Sequence, residues 1–390
     1  MKRNRFRKPY FAVPVGLTLA ALASPLSAAT FVVDVTDDAV DITPGDGQCR
    51  TAANTCTLRA AVQEANALAG DDTIILPVGT ITLTLAGPIE DLSASGDLNP
   101  RSNIHFEGQG PGVTIIQGAM GESVFRMPVG IASTVSMSGL TITGGTQTNG
   151  GGILTQAGTG SLSLYRCVLT NNTATAGHGG AIYSSRPLSL IETTISGNTA
   201  FFFGGGVFNL AAATVQNSTI SGNASRDSGG GWFNFSGTAS LTNVTIAANT
   251  ADSDANNTGD GGGIFRSGGD VNLNNVLIGD NVDNSGQAPD IAGQFNSQGF
   301  NLIENPAGAT ITGITVSNLL NIDPKLGPLA SNGGPTFTHA LLPDSPAIDA
   351  GSNVLGSDQR GQARPQGLAS DIGAFEFTPP TDTDADGVPD

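Results

Sequence analysis

The chain has 390 residues, with 16 lysines and arginines against 33 aspartates and glutamates, for a formal net charge of −17. So acidic a chain repels nucleic acid and anionic membranes, which excludes nucleic-acid binding and favours cations such as calcium. The 54 glycines, the single tryptophan and the 13% of charged residues are unlike an ordinary globular protein, and such a bias is typical of internal repeats.

The first 29 residues have the order of a secretory signal peptide. A basic start precedes an apolar run over 11–22, which is too short to span a membrane, and small residues follow at Ser27-Ala28-Ala29. We expect cleavage after Ala29, give or take one residue. Residues 1–29 carry five basic residues and no acids, so their removal takes the formal charge from −17 to −22.

No later stretch of the sequence approaches 18 apolar residues, so no transmembrane helix is expected in the mature chain. The mature protein is expected to be a monomer that is either secreted or associated with the cell surface or outer membrane.

The chain has three cysteines. Cys49 and Cys56 lie seven residues apart in an irregular segment, and after export they are expected to form a disulfide that closes a small loop. Cys167 is left over. It occupies the repeat position that Thr193 and Ser218 hold in later repeats, so we interpret it as a small buried residue rather than a reactive thiol.

A repeat of about 25 residues dominates the middle of the chain. Its central apolar position is followed three residues later by asparagine, at Asn172, Asn198, Asn223, Asn249 and Asn281. A Gly-Gly run recurs between these landmarks. Helical repeats are excluded because Gly, Asn and Thr dominate and no 3.6-residue period appears, and the fixed Leu/Asn frame of leucine-rich repeats is absent.

Short alternating segments separated by turn residues predict about three strands per repeat. If each strand pairs with its equivalent in the next coil, the fold is all-β, a right-handed parallel β-helix over residues 72–318 with roughly ten coils. The asparagines should form a ladder of amides that hydrogen-bond along the axis. Residues 251–260 are Asp/Asn-rich and should loop out of one coil.

The strand after each Gly-Gly run carries two adjacent apolar columns, and adjacent strand residues point to opposite sides. We predict that the second column faces outward as an exposed aromatic stripe able to stack on sugar rings, at Tyr183, Phe208, Phe233 and Phe265. The alternative is that a neighbouring loop covers it.

Residues 30–71 are predicted to cap the N-terminal end of the solenoid. A short helix is expected from Thr57, as N-cap, to Asn66, because apolar residues recur at helical spacing. The run Cys56-Thr-Leu-Arg-Ala-Ala-Val62 with Glu64-Ala-Asn66 resembles the CSLREA domain of bacterial exported proteins. The coils themselves resemble pectate-lyase-like right-handed β-helix repeats.

Residues 319–377 resemble the C-terminal region called choice-of-anchor Q. The similarity lies in Asn332-Gly-Gly-Pro, Ser345-Pro-Ala-Ile-Asp349-Ala-Gly and Asp371-Ile-Gly-Ala-Phe-Glu376. The resemblance implies a loop-rich cap that closes the β-helix. We interpret His339, Asp349, Asp358, Arg360 and Arg364 as structural, since loop backbone must be satisfied by buried Asp and Arg groups.

Residues 378–390 form an acidic tail that resembles the beginning of a calcium repeat. Carboxylates at alternate positions before a glycine suit a hard cation, and the candidate ligands are Asp382, Asp384, Asp386 and Asp390. No cofactor is otherwise indicated.

Two functions are compatible with these features. The first is a non-catalytic, adhesin-like surface or secreted protein that binds a glycan or another partner, because the coils are uniform and carry few charges. The second is a polysaccharide lyase or glycoside hydrolase of the pectate-lyase-like fold. Such an enzyme needs charged groups clustered on adjacent coils, and only Arg166 and Glu192 are neighbours at equivalent positions. The sequence therefore favours the non-catalytic interpretation and predicts no catalytic residue.

Overall fold

A computed structural model describes residues 28–87, 89–118 and 121–379, together with Met1. The predicted signal peptide and calcium tail lie largely outside these residues. The described chain is a right-handed parallel β-helix with one α-helix near its start, which confirms the predicted fold class. Among the described residues, no helix is long and apolar enough to cross a membrane.

The strands of each coil contribute to three main faces of the β-helix. Strands are numbered in chain order. Face 1 consists of β1 Thr30–Val32, β2 Asp71–Ile75, β4 Asn103–Glu107, β7 Val135–Ser138, β11 Leu162–Tyr165, β15 Leu188–Ile191, β19 Ala213–Ser221, β22 Thr238–Ala247, β25 Asp270–Asn274, β28 Ile291–Ser297 and β30 Ala309–Gly313. Face 2 consists of β3 Gly79–Thr82, β5 Thr114–Gln117, β8 Thr141–Thr143, β12 Val168–Thr170, β16 Thr194–Ser196, the second halves of β19 and β22, β26 Leu277–Gly279, β29 Leu302–Ile303 and β31 Leu319–Leu320.

Face 3 consists of β6 Phe125–Met127, β10 Ile153–Thr155, β14 Ile182–Ser184, β18 Val207–Asn209, β21 Trp232–Asn234, β24 Ile264–Arg266 and the start of β28. A ladder of two-residue strands precedes face 3 in each coil: β9 Thr146–Gln147, β13 Thr173–Ala174, β17 Thr199–Ala200, β20 Ala224–Ser225, β23 Thr250–Ala251 and β27 Val282–Asp283. An antiparallel hairpin, β32 Leu326–Ala330 with β33 Thr338–Leu341, follows the coils.

The core is a set of columns that run along the axis. On face 1, Leu162 is in register with Leu188, and on face 3 Ile182 pairs with Val207; all four are buried. The Gly-Gly runs lie where two coil segments approach closely. A Cβ at Gly205 would come within 2.4 Å of a backbone oxygen, so this position accepts only glycine.

The asparagine ladder is confirmed. Asn172, Asn198, Asn223 and Asn249 are fully buried, and each donates its backbone N–H and its Nδ2 to the Oδ1 of the next asparagine at 2.9–3.1 Å. The ladder ends at Asn281, whose Nδ2 donates to Asp290 at 2.9 Å. These amides satisfy polar backbone that the turns would otherwise leave buried and unpaired.

Helix α1, Leu58–Ala67, covers the start of the stack. The Thr57 hydroxyl accepts from the Ala60 N–H, so the predicted N-cap is confirmed. Leu58, Val62 and Ala65 join the same buried cluster as the coil interior. The stack itself begins earlier than expected, since β1 already pairs in parallel with β2.

The loop-rich C-terminal region lies along face 2 rather than across the last coil. Its apolar side chains Leu341 and Ile372 form a second cluster with Leu277 and Leu302, which face outward from the coils. Hydrogen bonds reach back several coils, for example from the Thr194 hydroxyl to the Phe337 carbonyl at 2.7 Å. Face 2 carries outward apolar residues here, so covering its flank removes them from water.

The charged side chains and the histidine of this region make structural contacts. Arg364 and Glu376 are fully buried and paired at 3.1 Å, and Arg360 pairs with Asp358 at 2.8 Å. His339 donates from Nδ1 to the Gly327 carbonyl, so its Nε2 accepts from the Ser221 hydroxyl of β19 at 2.8 Å. The two ion pairs hold the C-terminal region together, and His339 fixes it against the coils.

Candidate functional site

Face 1 is the broad face that the C-terminal region leaves open, and near its N-terminal end it carries polar side chains. Along β4, Asn103, His105 and Glu107 alternate with the buried Ile104 and Phe106. The parallel register then places His105 beside Ser136 of β7, and Glu107 beside Ser138 and Tyr165 on the next two strands.

A hollow of about 530 Å³ lies over the first of these columns. His105 Nδ1 is 2.8 Å from the Ser136 hydroxyl, and the Asn103 amide donates to Asp71 at 2.7 Å. Within the described residues no carboxylate orients His105, so Ser136 lacks the arrangement that activates a serine nucleophile.

A second hollow, of about 300 Å³, lies at the corner between faces 1 and 2. It is lined by Glu107, Tyr165 and Arg166 together with Pro335 of the C-terminal region. Arg166 donates from Nε to Glu192 at 2.6 Å, and its guanidinium lies 4.9 Å from the Tyr165 ring centre. The Arg166 side chain is 40% exposed, so this cation remains within reach of a ligand.

The backbone conformation of the turn between faces 1 and 2 places Arg166 and Glu192 at this corner. Arg166 and Glu192 occupy the same turn in successive coils, with φ of 50° and 51°. Later coils place asparagine in this left-handed turn, at Asn217, Asn243 and Asn275. Asparagine suits positive φ better than most residues, so the charged pair is a departure from the repeat.

Burial and then the Glu192 carboxylate raise the pKa of the Tyr165 hydroxyl. The phenol therefore holds its proton more tightly than an exposed tyrosine does. We call the two hollows together the face-1 groove, defined by Asn103, His105, Glu107, Ser136, Tyr165 and Arg166.

The two glutamates nearest the groove, Glu107 and Glu192, are poorly placed to act as a catalytic pair in glycoside hydrolysis. Glu107 and Glu192 are three rungs apart, which separates their backbones by about 14 Å. Paired catalytic carboxylates lie roughly 5–9.5 Å apart, and Glu192 is already directed at Arg166.

The predicted aromatic stripe faces outward, but the prediction that it is exposed is wrong at its centre. Phe208 and Phe233 are only 4% and 3% exposed, because His178 stacks on the first ring at 4.6 Å and Phe203 on the second at 4.6 Å. The column also stacks within itself, at 5.0–5.2 Å between Tyr183, Phe208, Phe233 and Phe265. The covering loop over 201–203 is the alternative that the sequence left open.

The loop that covers the stripe creates another cleft, which we call the aromatic cleft. It has a volume of about 260 Å³ and is lined by Phe201, Phe202, Arg226 and Asp254 with neighbouring polar residues. Phe202 is 41% exposed, and Arg226 pairs with Asp254 at 3.0 Å while lying 4.5 Å from the Phe201 ring centre. One wall comes from the segment at 251–260 that was predicted to loop out.

The remaining candidate residues fall into three groups. Cys49 and Cys56 are joined by a disulfide, with Cα atoms 5.1 Å apart. Cys167 is free and fully buried, and burial raises the pKa of its thiol to about 12. The candidate calcium ligands lie outside the described residues: Asp382, Asp384, Asp386 and Asp390.

An acidic trio, Asp280, Glu304 and Asp323, is close enough to hold a cation, but exposed carboxylates often gather without one.

The sequence pattern singled out Arg166 and Glu192 but did not point to His105. Its partner Ser136 and the neighbouring Tyr165 come from coils 31 and 60 residues away in sequence. The irregular spacing of the first coils hides this register, since the 25-residue repeat becomes regular only after Leu162.

Comparison with known proteins identifies the fold. The chain is similar to the crystal structure of pectate lyase Pel9A, with a TM-score of 0.51, 13% identity, and coverage of 91% of this chain and 98% of that one. It also matches the A-module of the Azotobacter vinelandii mannuronan C-5 epimerase AlgE6, with 16% identity over 75% of this chain and 96% of that one, at a TM-score of 0.39, which is too low to bear on function.

At these identities the similarity shows a pectate-lyase-like β-helix and nothing finer. No family model and no curated sequence matches the chain. The resemblances to the CSLREA domain and to choice-of-anchor Q therefore stay predictions.

Proposed function

We propose that this protein is a carbohydrate-active β-helix protein that binds a polysaccharide in the face-1 groove and cleaves it by β-elimination. The observation that carries the proposal is that His105, Tyr165 and Arg166 lie close together along face 1, which the C-terminal region leaves open. This reverses the sequence-based preference for a non-catalytic protein, because the register unites an acid, a base and a cation that are distant in sequence.

Electrostatics favours a substrate with few negative charges. The chain carries a formal charge of −17, and the two hollows of the groove are lined by Glu107, Asp71 and Asp72 against the single arginine Arg166. A polyanion would be repelled, whereas a uronic acid polymer whose carboxyl groups are esterified would not. An ester carbonyl also makes the neighbouring C–H bond more acidic. Because the ester is uncharged, no cation is needed to neutralise it, as a free carboxylate would require.

Three residues of the groove can each carry out one part of the elimination. His105 removes the proton next to the ester carbonyl, the bond from the adjacent carbon to the glycosidic oxygen breaks, and a carbon–carbon double bond forms. The Tyr165 phenol donates its proton to the leaving oxygen, and Arg166 stabilises the charge that develops on the carbonyl oxygen. The backbones of His105 and Tyr165 are roughly 12 Å apart, which leaves room for one sugar ring between the two side chains.

The test is cleavage of esterified and unesterified uronic acid polymers, followed by the ultraviolet absorbance of the unsaturated product. Tyr165→Phe removes only the hydroxyl and should lower kcat about 100-fold or more. His105→Ala should do the same, and the matched control Ser189→Ala, which also faces outward on face 1, should leave the rate within about twofold. Equal rates for Tyr165→Phe and wild type would refute the assignment.

A non-catalytic, glycan-binding function is the second candidate, and the aromatic cleft favours it. Phe202 offers an exposed ring face beside Arg226, Asp254 and Asn256, which can bond sugar hydroxyls. A glycan array with the exported protein should then show binding without turnover. Phe202→Ala should weaken binding about tenfold, while Phe300→Ala, another exposed aromatic side chain, should not.

A further inference from the structure

The entry of the chain into the first coil is fixed by a short set of contacts. Ala29, which directly precedes β1, is half-buried against the core cluster. Its carbonyl accepts from the Thr73 N–H at 2.8 Å, and its own N–H donates to Asp72 Oδ1 at 2.8 Å. Ala28 just before it is exposed.

Asp72 is a buried carboxylate with incomplete partners. It is 1% exposed, and its buried Oδ2 has no hydrogen-bond partner among the residues that the structure describes. None of the ion pairs among the described residues includes Asp72, so one neutral amide is the donor that reaches it. Burial of a carboxylate in this state is unfavourable unless a cation and further donors complete its hydrogen bonding.

We propose that the leader is cut between Ala28 and Ala29, and that the new α-ammonium of Ala29 pairs with Asp72. Hydrolysis of this peptide bond adds one water, leaving a carboxylate on Ala28 and an ammonium on the nitrogen that already lies 2.8 Å from Oδ1. The ammonium supplies a positive charge and additional N–H donors, so Oδ2 gains a partner as well. Cleavage thus gives the buried Asp72 carboxylate of the first coil a positively charged partner.

The contact between Ala29 and Asp72 favours one of the cleavage positions that the sequence allows. The small residues Ser27-Ala28-Ala29 favour a cut after Ala29, which would leave Thr30 first. That cut would remove the nitrogen that Asp72 binds and move the ammonium about 3.8 Å along the chain. A cut after Ala28 also has a small residue at the cleaved bond, and it keeps the contact.

The full chain is exported from a bacterial host, and the intact mass of the purified protein is measured. A mass that begins at Ala29 supports the proposal, and one that begins at Thr30 overturns it. Stability is then compared at pH 7 and pH 10, where the α-ammonium loses its proton.

The folding equilibrium constant should fall between pH 7 and pH 10 in both proteins. The factor by which it falls should be at least ten times larger for wild type than for Asp72→Asn. The matched control Asp71→Asn, exposed on the same strand, should behave as wild type. Equal pH effects in all three proteins would overturn the ion pair.

A second measurement does not depend on the folding of Asp72→Asn. Lys325 is the one lysine beyond residue 29, so in the exported Lys325→Arg protein the α-amine is the sole amine. An amine-specific reagent should label it at least tenfold more slowly in the native protein than in urea. Equal labelling rates would show a free N-terminus and overturn the proposal.

Discussion

Replacing one buried asparagine of the ladder should destabilise the protein strongly. Asn223 is fully buried, and its side chain takes part in four hydrogen bonds: it accepts from the backbone and the Nδ2 of Asn198, and its own Nδ2 donates to the Ile195 carbonyl and to Asn249. Asn223→Ala removes all four and leaves the Asn198 N–H buried without an acceptor. At about 1 kcal/mol for each bond, the loss is about 4 kcal/mol.

The assay is urea unfolding followed by circular dichroism, with Thr214→Ala as the control. Thr214 lies in the same coil but is exposed on face 1, so its truncation should change the free energy of unfolding by less than about 0.5 kcal/mol. A loss below about 1 kcal/mol for Asn223→Ala would refute the view that the ladder stabilises the coils. A broadened transition would instead show that the coils unfold separately.

Three further predictions concern pH, the free thiol and the C-terminal region. Burial raises the pKa of Asp290 from 3.8 to about 6, so the folded state binds this proton more tightly than the unfolded state does. Its contribution is complete below about pH 4 and is lost as the pH rises through 6. The free energy of unfolding should thus fall by up to about 3 kcal/mol from pH 4 to pH 7, and Asp290→Asn should flatten this dependence; an unchanged slope would contradict the assignment. Cys167 should react with a thiol reagent only in denaturant, since it is buried with a pKa of about 12; fast labelling of the native protein would exclude this packing. Leu277→Ala should weaken the docking of the C-terminal region on face 2 and speed limited proteolysis there, whereas the same change at the exposed Leu368 should not.

The elements that follow from local pattern were predictable. Regular spacing of Asn198, Asn223 and Asn249 predicts a ladder, because equivalent residues of stacked coils must meet. Thr57 followed by apolar residues at helical spacing predicts the N-cap and α1 in the same way. In both cases the interactions are set by neighbours in sequence or by one fixed period.

Other features depend on contacts that no period encodes. The burial of Phe208 and Phe233 depends on where the loop with Phe203 folds, and the side on which the C-terminal region docks depends on outward apolar residues at Leu277 and Leu302.

The sequence by itself determined an acidic, repetitive chain that must stack to bury its apolar columns, since no single coil can do so. Only the tertiary structure decided which face stays open. It brought His105 of one coil to the same face as Tyr165 and Arg166 of a coil two rungs away, because the irregular first coils hide their register. It also placed the Ala29 nitrogen against Asp72, a pairing between residues 43 apart that arises from the parallel alignment of β1 with β2.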